Sequence, residues 1–183
     1  MNQIIKFLTE RQSNPFLVSP APSNEELTLI LKAGMRVPDH AALMPWHFTV
    51  VQEDSLAKLS DIFVSSIKEK TDDQAKLDKT AKMPFRAPLM IVVSTDYKEH
   101  EKVPAVEQLV TAGCCVHAMQ MAATSLGYGA MWRTGDLAFN DNVKAQLSIN
   151  KENEIVGFLY IGSKSKELPL KPEKKMDGKV TYL

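Results

Sequence analysis

The stretch that decides the fold runs from residue 106 to residue 126 and reads VEQLVTAGCCVHAMQMAATSL. The helix predicted here carries apolar or small side chains on nearly every face, and Gly127 and Gly129 follow its end. A helix that is hydrophobic all round is buried all round. Small residues on successive turns also let another backbone come close. The sequence therefore predicts a central helix that is buried on every face and contributes to a dimer interface.

Strands and further helices alternate around this central helix. Residues 89–93 (LMIVV) form a continuous apolar run, which is typical of a strand buried on both faces. Ser23 and Glu26 have the S-x-x-E spacing of a capping box, which predicts a helix from there to about Gly34. The other predicted strands cover residues 47–51, 128–132 and 155–161, and the other predicted helices cover residues 3–9, 54–70, 73–82 and 141–147. Residues 1–183 are thus expected to form one domain with about four core strands.

Composition excludes several classes of protein. The chain has 183 residues, which suits one compact domain, and 44% of them are hydrophobic, too many for a disordered chain. Lys plus Arg and Asp plus Glu number 22 each, and a net charge of zero argues against binding to a nucleic-acid backbone. Residues 1–8 lack the basic start and long apolar run of an export signal, and no stretch is long enough to span a bilayer. We expect a cytoplasmic protein without membrane partners.

The cysteines and histidines do not form a recognisable metal or disulfide pattern. Cys114 and Cys115 are adjacent, and neighbouring cysteines rarely satisfy disulfide geometry, so both are expected to be reduced packing residues. The sequence has no C-x-x-C or H-E-x-x-H motif, and its four histidines are scattered. No metal site is expected.

Three segments carry residues suited to binding a polar ligand. Arg11-Gln12-Ser13 places a guanidinium beside a hydroxyl, which suits a phosphate and a polyol, although a cation at a helix C-terminus is the simpler interpretation of Arg11 alone. The loop 36–45 brings Arg36, Asp39 and His40 together. These residues could serve either in proton transfer or in ligand binding, and we favour ligand binding.

The third segment is the glycine-containing stretch 127–135, GYGAMWRTG. Glycines allow a backbone to approach a flat ligand closely. These glycines follow a helix and precede a strand, whereas a Rossmann loop follows a strand and opens a helix, so a Rossmann site is rejected.

The C-terminal tail, residues 164–183, has little core-forming character until its last four residues, VTYL. A polar arm with an apolar end suggests that something receives that end. An extended arm can add a strand to an exposed sheet edge, so a partner subunit is the natural receiver.

Taken in order, several motifs resemble the nitroreductase family, specifically its small YdjA-like branch. They span nearly the whole chain, and the ordered set is more specific than any one motif. They are Arg11-Gln12-Ser13, 33–40 (AGMRVPDH), 45–48 (PWHF), 84–88 (PFRAP), 118–123 (AMQMAA), 132–135 (WRTG) and 155–162 (IVGFLYIG).

The resemblance implies an α+β fold in which helices surround a central antiparallel sheet. It also implies an intertwined homodimer with exchanged C-terminal arms and FMN at the interface. Carried over residue by residue, the FMN-binding positions would be Arg11, Gln12, Ser13, Arg36, His40, Trp132, Arg133 and Thr134, with Arg36 and His40 from the opposite subunit as one option. The nicotinamide nucleotide would, more weakly, lie near Ala122, Ala123, Thr124, Ser125, Leu126 and Gly127.

The chain departs from this branch at Gln12, where a second arginine is common. The change removes one positive charge near the phosphate, for which Lys171, Lys174 or Lys175 are candidates to compensate. Relative to the wider family, His40 and Met44 stand where Asn and Gln are frequent, so substrate preferences of other members do not carry over.

The resemblance implies an oxidoreductase in which the flavin carries the redox chemistry. NAD(P)H would pass hydride to flavin N5, and a nitroaromatic or quinone-like acceptor would then take its place in ping-pong order. A backbone N–H within residues 133–135 would hydrogen-bond N5, and no catalytic side chain is required. The alternative is a non-catalytic flavin-binding sensor or storage protein on the same fold. A helical interaction protein without cofactor would require the 36–40 loop and the glycine segment both to be incidental.

Overall fold

The computed structural model describes residues 2–183. Six helices are present: α1 (Gln3–Glu10), α2 (Asn24–Gly34), α3 (Asp54–Lys68), α4 (Gln74–Ala81), α5 (Ala105–Ser125) and α6 (Asp141–Gln146). Five strands alternate with them: β1 (Leu17–Val18), β2 (Trp46–Gln52), β3 (Leu89–Thr95), β4 (Gly129–Arg133) and β5 (Ile155–Lys164). Within the described residues, no helix combines the length and apolarity needed to cross a bilayer.

The five strands form one antiparallel sheet. β3 lies between β2 and β5, and β5 pairs in addition with β4 and, at its C-terminal end, with β1. All four pairings are antiparallel, as the predicted fold class requires. β1 was not predicted, because two residues carry no periodicity and this strand exists only through its pairing with β5.

Helices cover both faces of the sheet. Leu89, Ile91 and Val93 of β3 face one apolar cluster with α2 and α5, while Met90 and Val92 face a second cluster with α3 and α6. All seven residues of β3 are buried, which explains its uninterrupted apolar sequence.

The capping box at the start of α2 is formed as predicted. Ser23 Oγ accepts from the backbone N–H of Glu26 at 3.2 Å, and Glu26 Oε2 accepts from the N–H of Ser23 at 2.8 Å. The Tyr128 hydroxyl also donates to Glu26 Oε2 at 2.8 Å. These bonds lower the pKa of Glu26, and the bond from the Ser23 backbone has the largest effect. They tie the start of α2 to the turn that leads into β4.

The prediction that α5 is buried on every face is wrong for the single chain. Its sheet-facing side is buried, including Val116 and Met119. On the other side Val106 and Val110 remain 63% and 61% exposed, because the sheet and α2 cover only part of the helix circumference. The apolar character of this second side therefore has no explanation within one copy.

Two other apolar surfaces are exposed. α1 has no buried residue, and Ile4, Ile5 and Leu8 are all exposed, Ile4 to 68%. In the tail, Val180 and Leu183 are exposed and Tyr182 is 91% exposed. Exposed apolar patches on proteins are common at interaction sites.

Candidate functional site

Arg11 lies at the end of α1, where its backbone N–H donates to the carbonyl of Phe7 at 2.9 Å. The side chain is half-buried, and its Nη1 atom is buried without a hydrogen-bond partner among residues 2–183. Burial lowers the pKa of Arg11. A buried guanidinium donor without an acceptor is costly, so this atom is suited to an anionic ligand.

Gln12 presents a buried acceptor atom beside the buried donor atom of Arg11. Its Nε2 donates to the carbonyls of Leu168 at 3.3 Å and Pro169 at 2.8 Å. Two carbonyl acceptors fix the amide orientation, because only the NH₂ end can donate to both. The Oε1 atom is therefore turned away from the tail, and it too is buried without a partner in the described chain. Arg11 and Gln12 line a cavity of about 280 Å³ that also includes Lys164.

Ser13 is connected to β4 through Gln120 of α5. The buried Gln120 side chain donates from Nε2 to Ser13 Oγ and to the carbonyl of Ala130, each at 3.3 Å. The N–H of Asn14 donates to the same carbonyl at 3.0 Å. The structure thus brings the Arg11–Ser13 segment beside the glycine-containing segment, which are far apart in sequence.

The edge of β4 that faces this segment pairs with no other strand among residues 2–183. Because the Ala130 carbonyl points away from β5, the alternation of an antiparallel strand turns the peptide groups of Trp132 to the same outer edge. Thr134 follows the strand and is exposed. A flat ligand with acceptors and donors along its rim fits such an edge.

The side chains of Trp132 and Arg133 point to opposite faces of the sheet. Trp132 Nε1 donates to the carbonyl of Val156 at 3.3 Å on the α5 side, and the Arg133 guanidinium lies 5.9 Å from the Tyr160 ring centre on the α6 side. By the same alternation, the backbone groups of Arg133 point toward β5, so only Trp132 presents its backbone at the outer edge.

His40 lies at the N-terminal end of α5, and Arg36 precedes it by four residues in the same loop. His40 Nδ1 is 2.9 Å from Glu107 Oε2, and Thr111 Oγ1 donates to the carbonyl of Pro38 at 3.3 Å. Asp39 accepts from the N–H of Met44 at 2.8 Å, which gives it a turn-stabilising contact. Arg36 is exposed.

One chain does not bring the two groups together. Glu107, which holds His40, and Gln120, which holds Ser13, are thirteen residues apart on α5, which is about 20 Å along the helix axis. Arg11, Gln12, Ser13 and the β4 edge lie together, whereas His40 lies toward the other end of α5 in the same chain.

Residues 122–127 form the last turn of α5 and the residues after it. Ala123 is fully buried in the core, Thr124 borders the cavity beside Arg11, and Ser125 to Gly127 are exposed.

Cys115 lies earlier in α5. Burial raises the pKa of its thiol to about 12, so Cys115 is a packing residue rather than a nucleophile.

Sequence reasoning did not single out Gln120 or Glu107. Gln120 is a polar residue at a fully core-facing helix position, and that pattern is itself a signal of a specific hydrogen-bond role. Glu107 carries no such signal, because a glutamate in the first turn of a helix is ordinary.

Comparison with known proteins supplies the family context. A model of the nitroreductase family matches residues 9–163. YdjA of Escherichia coli strain K12, provisionally named an NAD(P)H nitroreductase, is 41% identical over 159 residues, which is 87% of each chain. A protein of Haemophilus influenzae with a similar provisional name is 33% identical over 160 residues, again 87% of each chain.

Solved structures share the fold. A nitroreductase-like family protein from Bacillus cereus has a TM-score of 0.88 at 21% identity, covering 100% of this chain and 97% of that one. A nitroreductase with bound FMN from Bacteroides fragilis has a TM-score of 0.77 at 22% identity and covers all of both chains. The predicted α+β fold and its likeness to nitroreductases are confirmed.

Proposed function

This chain belongs to the nitroreductase family, and we propose that it is an NAD(P)H-dependent FMN oxidoreductase. The observation that carries the proposal is the pair of orphaned atoms, Arg11 Nη1 and Gln12 Oε1. One is a cationic donor and the other an acceptor, and both are buried beside one cavity. FMN has a phosphate to accept from the first and ribityl hydroxyls to donate to the second, so the residues present fit the cofactor.

Each of these residues has a role toward FMN. Arg11 neutralises the phosphate, Gln12 and Ser13 bond the polyol chain, and the segment Trp132-Arg133-Thr134 runs along the flat ring with the outward backbone groups of Trp132 toward it. Residues 122–127 are the proposed neighbourhood of the nicotinamide nucleotide, where Ala123 has only its backbone to offer because its side chain is in the core.

A second copy of the chain completes the site. The exposed side of α5 with Val106 and Val110, and the exposed face of α1, supply the apolar surface that a homodimer buries. In that dimer, Arg36 and His40 of one copy meet the FMN held by Arg11 and Ser13 of the other. This arrangement accounts for the separation of the two groups along α5 in one chain.

The C-terminal arm belongs to the same assembly. β2 lies at an edge of the sheet, beside a cavity of about 540 Å³ whose lining is mostly apolar and includes Trp46, Phe48 and Val50. We propose that residues 164–183 reach the partner subunit and that their apolar end, 180–183, joins an exposed edge such as this one.

When bound, FMN supplies a two-electron acceptor that NAD(P)H reduces and that the second substrate reoxidises. The protein binds and orients the reactants, and the proposed order is ping-pong, with nitroaromatic or quinone-like acceptors as the second substrate class. No side-chain nucleophile is required. The cavity and the strand edge, rather than a catalytic side chain, determine where the nicotinamide and the acceptor are held.

The test is spectroscopic. Purified or FMN-reconstituted protein is expected to be yellow, and NADH or NADPH without oxygen is expected to bleach it; a nitroaromatic or a quinone then restores the colour. Protein that stays colourless after reconstitution with FMN contradicts the proposal. Bound FMN that neither nicotinamide donor reduces would instead identify a flavin-binding protein without this activity.

A further inference from the structure

The loop that carries His40 is held in an unfavourable backbone conformation. Ala41, Ala42 and Met44 have φ values of 61°, 51° and 49°. These values lie in the left-handed region, which residues with a Cβ atom adopt at a cost in free energy. Three such residues among four positions indicate that the surrounding contacts impose the loop conformation.

Specific contacts hold the loop in place. Asp39 Oδ2 accepts from the N–H of Met44, and Thr111 of α5 donates to the carbonyl of Pro38. One turn earlier on α5, Glu107 Oε2 lies 2.9 Å from His40 Nδ1. Two positions of α5 therefore fix the loop, one through its backbone and one through the imidazole itself.

From this geometry we propose that Glu107 is a positioning residue that sets the tautomer and direction of the His40 ring for cofactor binding. A carboxylate is an acceptor only, so the proton on this side of the ring is on Nδ1. The remaining nitrogen, Nε2, is then the one that meets the ligand. This inference rests on the proposed function, because it takes the cofactor completed by the second copy as that ligand.

The position of Glu107 suits this role. It is in the first turn of the 21-residue helix α5, and a later turn of this helix carries Gln120, which contacts Ser13 of the same chain. Glu107 and His40 side chains are about half exposed in one copy, and both adjoin the exposed Val106 and Val110. The pair thus lies on the surface that the proposed dimer covers, where a fixed imidazole can reach across to the partner.

The tautomer is tested without cofactor. In protein labelled with ¹⁵N-histidine, long-range ¹H–¹⁵N correlation spectra distinguish the two neutral imidazole forms, and His40→Asn identifies the His40 signals among four histidines. We expect the Nδ1-protonated form in the wild type and in Glu107→Gln, whose amide oxygen still accepts. In Glu107→Ala we expect the Nε2-protonated form or a mixture. Identical His40 signals in the wild type and Glu107→Ala overturn the proposal.

A double-mutant cycle on FMN affinity tests the consequence. Glu107→Ala and His40→Ala are each expected to weaken FMN binding, the first by roughly 2- to 150-fold, which corresponds to the coupling energy of residues in contact. The double variant is expected to bind no more weakly than His40→Ala alone, and Glu107→Gln should bind as the wild type does. Glu101→Ala, at an exposed acid six residues earlier, is the control and should change nothing.

The outcomes separate the two claims. Additive effects of the two alanine variants, or a Glu107→Ala variant with wild-type affinity, overturn the role of Glu107 while the wild-type enzyme still binds FMN. A wild-type protein that binds no FMN overturns the proposed function and this inference together.

Discussion

At the scale of the residue, Arg11 is the group on which the cofactor assignment depends most. Its buried Nη1 has no partner in the described chain, and a ligand phosphate would supply one. Arg11→Ala is expected to lower FMN affinity by about 1.5–3 kcal/mol, the worth of a charge-assisted hydrogen bond. Riboflavin, which lacks the phosphate, should bind the wild type and the variant alike. Fluorescence titration with both ligands measures the difference.

Two variants control this measurement. Lys58→Ala removes a positive charge from the exposed surface of α3 and should leave FMN affinity unchanged. Arg11→Lys keeps the positive charge but cannot donate in the bidentate geometry of a guanidinium, so an intermediate loss of FMN affinity is expected. Equal loss of FMN and riboflavin in Arg11→Ala would remove Arg11 from the phosphate site.

At the scale of the element, the contact between β4 and β5 depends on Gly157. A Cβ atom there would lie 2.1 Å from Trp132 Nε1 and 2.9 Å from the carbonyl oxygen of Arg133. Gly157→Ala must therefore displace Trp132, and we expect it to lower the free energy of unfolding by about 1–3 kcal/mol, the usual result of overpacking. Denaturant unfolding and tryptophan fluorescence measure both effects. Unchanged stability and an unchanged emission spectrum would show that Trp132 is placed differently.

Local signals made most elements predictable. The α2 capping box and the apolar run of β3 each depend on near neighbours in sequence, so both were found. β1 and the Gln120 bridge between Ser13 and Ala130 depend on contacts over more than 100 residues, which no local pattern records. Residue types singled out the three candidate segments, and the resemblance supplied their roles toward FMN. Their separation within one chain became visible only in three dimensions.

At the scale of the whole molecule, one copy of this chain leaves apolar surface exposed and keeps two groups of candidate site residues apart. Apolar faces of α1 and α5 and the end of the tail are exposed, and His40 lies about 20 Å along α5 from the level of Ser13. The dimer that we propose would account for both facts, because burying these surfaces would bring the two groups together. Its expected mass in solution is twice the chain mass of 20.4 kDa.

The most direct test of this central claim is to form a heterodimer of one Arg11→Ala chain and one His40→Ala chain and to titrate it with FMN. If each site takes Arg11 from one copy and His40 from the other, one site lacks both residues and the second is intact. The account predicts one FMN bound per heterodimer with wild-type affinity, although both parent homodimers bind weakly. A heterodimer with two weakened sites, one like each parent, and none of wild-type affinity would contradict it.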